Sequence, residues 1–227
     1  MDQMKASASR CVLLGDVVGS RGTADRRALH AAVEAALVEV DGTVPSVTGL
    51  RVTVGDEFQG AYTTLGAAVD AALRVRLVLL PEVDTRFGLG RGWVTILDPR
   101  RGIEDGPGWW AARTAIEEVE EAAGRAATRH ARTAYRAAAG PTDPTDPGAP
   151  GDPAEPAVNA ALLCRDHLVG SVSDRSLRLL RGLMDPNTTQ GRLAAREGIS
   201  ASAVSQRVRA DGIGAILAAH DLLRGMP

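Results

Sequence analysis

Apolar residues recur along this chain with two different spacings. From Cys11 to Val18 they run almost unbroken except for Gly15 and Asp16, the pattern of a strand covered on both faces. Between Thr23 and Val40 they fall at Leu29, Val33, Ala36, Leu37 and Val40, which predicts an amphipathic helix capped by Thr23 or Asp25. Asp41 to Pro45 reads as a turn. Val52-Thr53-Val54 then alternates up to Gly55-Asp56-Glu57, and the apolar run resumes with Phe58, Ala61 and Tyr62. That is a β-hairpin with two acids at its tip. Leu65, Val69, Leu73, Leu77 and Leu80 share the face of a second helix that stops at Pro81. Val83 to Ile96 is a further strand, in which Gly88, Gly90 and Gly92 leave one face nearly bare. Bare backbone implies something packed closely against it, a helix or a ligand.

The order strand, helix, strand, strand, helix, strand predicts an α/β (α+β) fold of the ferredoxin-like βαββαβ kind. In that arrangement the end of the first strand lies beside the hairpin, so Asp16 and Asp56 become neighbours. Gly106-Pro107 opens a long helix expected to reach about Ala139, with glutamates early and arginines late along a solvated face. Trp109 and Trp110 would anchor it to the sheet, or one would stack on a base. Gly140 to Pro156 alternates proline with Asp, Thr, Gly and Ala, which suits an extended linker and not a core. The expected domains are 1–139, a linker 140–157, and a separately folding all-α region 158–227.

Within that last region, Val158 to Val169 and Ser173 to Met184 read as helices. Thr188 to Arg209 then carries helix-turn-helix spacing: a small Ala194 where two helices cross, Gly198 at the turn, Ile199 and Val204 inward, and Ser200 capping the second helix. Its exposed positions Ser202, Ser205, Gln206, Arg207 and Arg209 suit base edges and phosphates in a major groove. Arginines outnumber acids after the linker, although the 227-residue chain has a net charge of −2. A helical protein-interaction bundle is the alternative. Gly212 to Gly225 closes the region as a helix whose Ile213, Ile216, Leu217, Leu222 and Leu223 would form a homodimer surface.

Composition narrows the classes. Hydrophobic residues make up 44% of the chain and aromatics 3%, so a sizeable core must rest on aliphatic side chains. Cys11 and Cys164 lie far apart in apolar runs and read as two buried thiols. No apolar run is long enough for a membrane span, and Met1 to Arg10 lacks the apolar core of a secretory signal, which places the chain in the cytoplasm.

The chemistry gathers at the acids. An ionised carboxylate in a buried strand needs a charged partner or a metal. Asp16 and Asp56, helped by the backbone carbonyl of Val17 and by Glu57, make an oxygen set suited to Mg²⁺ or Mn²⁺. Gly19-Ser20-Arg21-Gly22 offers backbone amides to an anion. The plainer alternative has Asp16 and Asp56 as caps, salt-bridged to Arg51 or Arg86.

These segments resemble the class III nucleotidyl cyclase and diguanylate cyclase superfamily. Asp16-Val17-Val18-Gly19-Ser20 looks like its first metal-binding segment and Gly55-Asp56-Glu57-Phe58 like its signature hairpin. Arg86-Phe87-Gly88-Leu89-Gly90 resembles its later glycine-rich strand. The resemblance implies Asp16, Asp56 and Glu57 as metal ligands, Val17, Gly19, Ser20, Arg21 and Gly55 around a purine nucleotide, and Arg113 as the transition-state arginine of an active enzyme. Two positions depart: Trp109 stands where class III cyclases carry an asparagine, and Val52 stands near the place of a base-selecting lysine. With Trp-Ala-Ala-Arg and Ser-Ala-Val-Ser-Gln-Arg added, nearly the whole chain outside the linker is similar to the bacterial SatD family. The expectation is a DNA-binding transcriptional regulator whose cyclase-like domain senses a purine nucleotide with a divalent metal. An active cyclase or nucleotidyltransferase with an accessory helix-turn-helix is the second reading, and an interaction module with neither activity the third.

Overall fold

The computed structural model describes residues 7–99, 101–138 and 152–227. Most of the expected linker, 139–151, and most of the polar N-terminal end, 1–6, lie outside them. Strand β1 (Ser7–Val17) begins ahead of the apolar run and is paired with β4 from Ser7 onward. The hairpin forms from β2 (Arg51–Val52) and β3 (Phe58–Tyr62), and β4 (Thr85–Asp98) and β5 (Ile103–Asp105) follow. The sheet runs β2-β3-β1-β4-β5, antiparallel throughout, and β6 (Thr133–Ala137) joins β4 in parallel. The result is a mixed six-stranded sheet with helices on both faces.

Alternation along β1 sorts its side chains by face. Cys11 and Leu13 point into a core shared with α1 (Arg26–Thr43) and α2 (Leu65–Leu79), while Val12 and Leu14 point toward Trp109, Ala112 and Ile116 of α3 (Pro107–Ala123). Helix α1 is capped by Asp25, whose carboxylate accepts from Arg27 N and Ala28 N, and it buries the five residues that its periodicity singles out. The question left open by Gly88, Gly90 and Gly92 is answered by α3. A Cβ at Gly88 or Gly90 would collide with the backbone at Ala112 or Gly108, so these glycines let the helix seat directly on the strand.

The long helix expected to reach Ala139 stops at Ala123, followed by Gly124, a 3-10 turn at Ala126–Thr128 and then β6. Glycine is a poor helix residue, and Thr133 and Tyr135 beyond it are buried two apart, as a strand requires. Of the late arginines, Arg125 and Arg129 are exposed as expected, but Arg132 and Arg136 are not simply solvated. Arg132 bonds Asp84, just before β4, and Arg136 pairs with Glu118 of α3 and Glu155 of α4, so both are held by partners distant in sequence.

After residue 152 come α4 (Glu155–Ser171), α5 (Asp174–Leu183), α6 (Gln190–Glu197), α7 (Ala201–Ala210) and α8 (Ile213–Arg224). They were expected to form a separately folding region, and their apolar residues share clusters with α2 and the sheet. Leu73 and Leu77 of α2 sit in one apolar cluster with Leu177, Leu180, Leu193, Val204, Ile213 and Ile216, while Val158, Leu162 and Leu223 join the cluster of the sheet. This explains why α2 is buried almost all round, beyond the single face its leucines suggest. Of the surface expected of α8, Ile213, Ile216 and Leu223 pack inside the chain and Leu217 is partly buried, whereas Leu222 is exposed.

Polar groups reinforce the same junction. Arg76 Nη1 donates to the buried Asp166 at 3.4 Å, Arg132 N donates to the same carboxylate at 2.8 Å, and His220 Nε2 lies 3.0 Å from Asp70 Oδ1. Of the two cysteines, Cys11 is buried but Cys164 is exposed on α4, since it falls on the outer side of that helix. No described helix is long and apolar enough to cross a membrane.

Candidate functional site

Asp16 is the penultimate residue of β1, and its direct partner across the sheet is Arg86 of β4. Just before it, Gly15 leaves room for the Phe58 ring, which meets Phe87 edge-on at 5.9 Å between centroids. An aromatic pair therefore underpins the strand ends that carry Asp16 and Arg86. Asp16 accepts a forked pair of bonds from Arg86, Nε to Oδ1 at 2.9 Å and Nη2 to Oδ2 at 3.0 Å, and the third guanidinium nitrogen of Arg86 reaches Glu120 Oε1 at 2.7 Å. Burial pushes the Asp16 carboxyl above its ordinary value, with Arg86 opposing and the charges of Glu120 and Asp56 adding to the rise.

The hairpin tip supplies the second group. Thr53 N donates to Glu57 O at 2.9 Å and Glu57 N to Val54 O at 3.0 Å, and Gly55 takes the left-handed φ of 67° that closes the turn. This presents Asp56 and Glu57 toward α3. Glu57 accepts from both terminal nitrogens of Arg113, at 3.1 and 3.0 Å. Beyond β1, Gly19 at φ 71° leads into a 3-10 turn over Ser20–Gly22, whose Gly22 and Thr23 amides bond back to Gly19 O and Ser20 O. Those two amides serve the turn itself and are not directed at a ligand. The Arg21 side chain lies outside the described residues.

Asp16, Val17, Gly19, Ser20, Asp56, Glu57 and Arg113 all line one cleft of about 470 Å³. Gly55 does not line it and acts through its backbone, beside Val52 and Asp56 at a small hollow on the other side. Three further charged residues face the cleft that the sequence did not place there as ligands: Arg86, Glu117 and Glu120. The signal for the two glutamates was helical spacing from Arg113, since 113, 117 and 120 fall on one helix face. Five carboxylates thus face two guanidiniums, and the cleft is acidic.

The donor chemistry fits a hard divalent cation, because every anionic group at the cleft offers oxygen. The arrangement is more guarded: among the described residues no three carboxylate, imidazole or thiol groups converge as a ready ligand set. Asp16 is held by Arg86 and Glu57 by Arg113. Of the salt bridges weighed for Asp16, the one to Arg86 forms, while Arg51 donates to the carbonyls of Thr48, Gly49 and Gly102. Trp109 is buried against the sheet and is an anchor; Trp110 is exposed and donates its indole N–H to Asp105.

A second feature stands on α6 and α7. Thr189 caps α6 through Arg192 N, Gly198 turns the chain at φ 64°, and Ser200 caps α7 by accepting from Ala203 N at 3.1 Å. Leu193, Ala194 and Val204 are buried between the helices and α5, and Ile199 packs against the same cluster. Ser202, Gln206 and Arg209 are exposed and Ser205 is half-buried. Arg207 differs from the expectation: it reaches Ser173 Oγ and Asp211 Oδ2, both at 3.4 Å, and braces α7 against its neighbours.

Among solved structures, the chain is similar to two bacterial light-regulated adenylyl cyclase structures, each at 12% identity, with TM-scores of 0.46 and 0.44. The alignments take in 58% and 57% of this chain and 44% and 43% of theirs, so it spans less than half the length of either. The catalytic core of a rhodopsin-guanylyl cyclase with converted specificity, in complex with ATPαS, aligns at 15% identity and TM-score 0.37, over 51% of this chain and 76% of that one. No curated protein matches the chain. Residues 11–135 match the SatD family, from β1 through β6 and so across the whole sheet and the acidic cleft. That is more than half of the 227 residues, and the chain belongs to the SatD family.

Proposed function

We propose that the cleft at the end of β1 binds a purine nucleoside triphosphate together with Mg²⁺ or Mn²⁺, and that the α6–α7 pair is a helix-turn-helix that binds DNA under its control. One observation carries the first half: carboxylates from β1 and from the hairpin tip meet two guanidiniums in a single cleft. Oxygen donors for a cation beside fixed positive charge for phosphates are what a metal-bound triphosphate requires. The strand order β2-β3-β1-β4 supports the ferredoxin-like reading, and the sequence resemblance to class III cyclases favours a purine. When bound, the metal would screen the phosphate charges. Asp16 and Asp56 would hold it, and Arg86 and Arg113 would orient the phosphates.

The reading is of a sensor and not of a cyclase. Trp109, at the asparagine position of class III cyclases, is packed among Val12, Leu14 and Val94, where it has no access to substrate. Val52 brings no positive charge to a base. For the second half, the capped helices around Gly198 and the exposed Ser202, Gln206 and Arg209 have the shape and chemistry of a major-groove reader.

Titration of the full chain with a fluorescent purine triphosphate and Mn²⁺ tests the site. The expected result is saturable binding that Asp56→Asn weakens at least tenfold, with no cyclic or linear product on prolonged incubation. Unchanged binding in Asp56→Asn would remove the cleft from consideration.

A further inference from the structure

We infer that Arg86 is a built-in counter-ion that keeps the cation position at Asp16 closed until an anion arrives, so that the cleft admits a cation and a triphosphate as a pair and a cation alone only weakly. The inference rests on the metal-nucleotide reading above and adds to it an order and a residue.

The closing contact is dictated by the sheet. Asp16 and Arg86 are direct cross-strand partners of β1 and β4, so the guanidinium is delivered to the carboxylate by strand register. The fork engages both Asp16 oxygens, at 2.9 and 3.0 Å, which are the atoms a metal would take. A cation entering from the cleft must displace a positive group already seated there, and two like charges within a few ångströms oppose each other. The side chains of Arg86 and Asp16 are 15% and 23% exposed, so water screens that opposition poorly.

The same contact can open in one direction. The remaining Arg86 nitrogen is held by Glu120, whose side chain is 66% exposed on the cleft-facing side of α3. A polyphosphate in the cleft gives Arg86 an anion of higher charge than Asp16 and draws the guanidinium off. Asp16 is then free for the metal, and the metal in turn screens the phosphates from Asp56 and Glu57. Arg113 is set up alike, released from Glu57 by the same anion. Each ligand makes room for the other, so their affinities are coupled, and the coupling is reciprocal.

Mn²⁺ binding to the full chain, followed by the electron paramagnetic resonance of free Mn²⁺, separates the possibilities. Wild type without nucleotide is expected to bind Mn²⁺ weakly. Arg86→Gln is expected to bind it at least tenfold more tightly, and Arg86→Lys, which keeps a charge but cannot fork, to fall between them. Affinity for a fluorescent non-hydrolysable purine triphosphate should rise at least tenfold with Mn²⁺ in wild type and much less in Arg86→Gln. Thermal melts of both variants verify folding, and the lysine variant stands in if glutamine is not tolerated. Wild type that binds Mn²⁺ alone as tightly as the two variants would overturn the counter-ion role and leave the metal-nucleotide reading standing. Absence of Mn²⁺ binding in all three chains, with and without triphosphate, would overturn both.

Discussion

Gly88 of β4 and Ala112 of α3 touch backbone to backbone, with the Ala112 carbonyl oxygen where a Gly88 side chain would begin. Ala112 immediately precedes Arg113, so the height of α3 above the sheet also sets how far Arg113 reaches toward Glu57. A methyl group at Gly88 must push against the backbone of a packed helix, which cannot yield as a flexible side chain can. Gly88→Ala is therefore expected to cost at least about 1 to 3 kcal/mol in denaturant melts, and to weaken triphosphate binding in whatever fraction remains folded. Gly42→Ala is the control. It lies in α1 with no atom within 4 Å of an added Cβ, and should stabilise by roughly 0.5 kcal/mol. Equal effects at the two positions would contradict this packing.

Asp166 offers a second test, of the junction between α4 and the sheet. It is fully buried and accepts from Arg76, Arg165, Thr133 and the Arg132 amide. Asp166→Ala would leave the buried guanidiniums of Arg76 and Arg165 short of a counter-charge, at a cost of about 3 to 5 kcal/mol. Denaturant melts of the variant and wild type measure that loss, and coincident midpoints would remove Asp166 as the counter-charge.

The dependence on pH follows from Asp84. Burial works against its charge, but Arg76 and Arg132 outweigh burial and hold its carboxyl below the ordinary 3.8. The folded chain therefore releases that proton more readily than the unfolded one. The contribution is complete above the ordinary value and is lost as pH falls through the lowered folded value. Asp16 works in the opposite sense: burial raises its carboxyl above 3.8, so its ionisation subtracts stability as pH rises through the window above that value. Melts of wild type and Asp84→Asn should differ most near neutrality and converge in acid, whereas Asp16→Asn should gain relative to wild type as pH rises through its window. A constant gap between wild type and Asp84→Asn would remove Asp84 from the acid response.

The legible parts of this molecule are those where one short segment determines the outcome. Helix α1 declares its buried face by spacing, and the Gly55-Asp56-Glu57 turn declares the hairpin. Asp16 stands out because an acid interrupts an apolar strand. What stayed hidden depends on distant partners. Arg136 reads as one of a row of solvated arginines until β6 sets it between Glu118 and Glu155. The second face of α2 carries alanines and charged residues with no clear period, and only the arrival of α5 and α8 explains it. Arg86 could be named as a partner for Asp16, but the fork and the tie to Glu120 require the β1–β4 register and the close seating of α3.

The shared core also bears on how α6 and α7 would meet DNA. Because Val204, Ile213 and Leu193 pack in one cluster with Leu73 and Leu77, the proposed reader is anchored to α2 and presents a fixed face. Arg209 lies on that face and Arg207 does not, so the two arginines should behave differently. Arg209→Ala is expected to leave the melt unchanged, weaken DNA binding at all sequences and lower the slope of log affinity against log salt by about 1. Arg207→Ala should instead lower stability through the loss of its bonds to Ser173 and Asp211, with a smaller change in that slope. Ser200→Ala removes the α7 cap and should cost about 1 kcal/mol, with binding lost in step with stability. Mobility shifts over a range of salt, set beside thermal melts of the same three variants, separate contact from scaffold. Equal salt slopes in wild type and Arg209→Ala would exclude Arg209 as a phosphate contact and count against α7 as the reading helix.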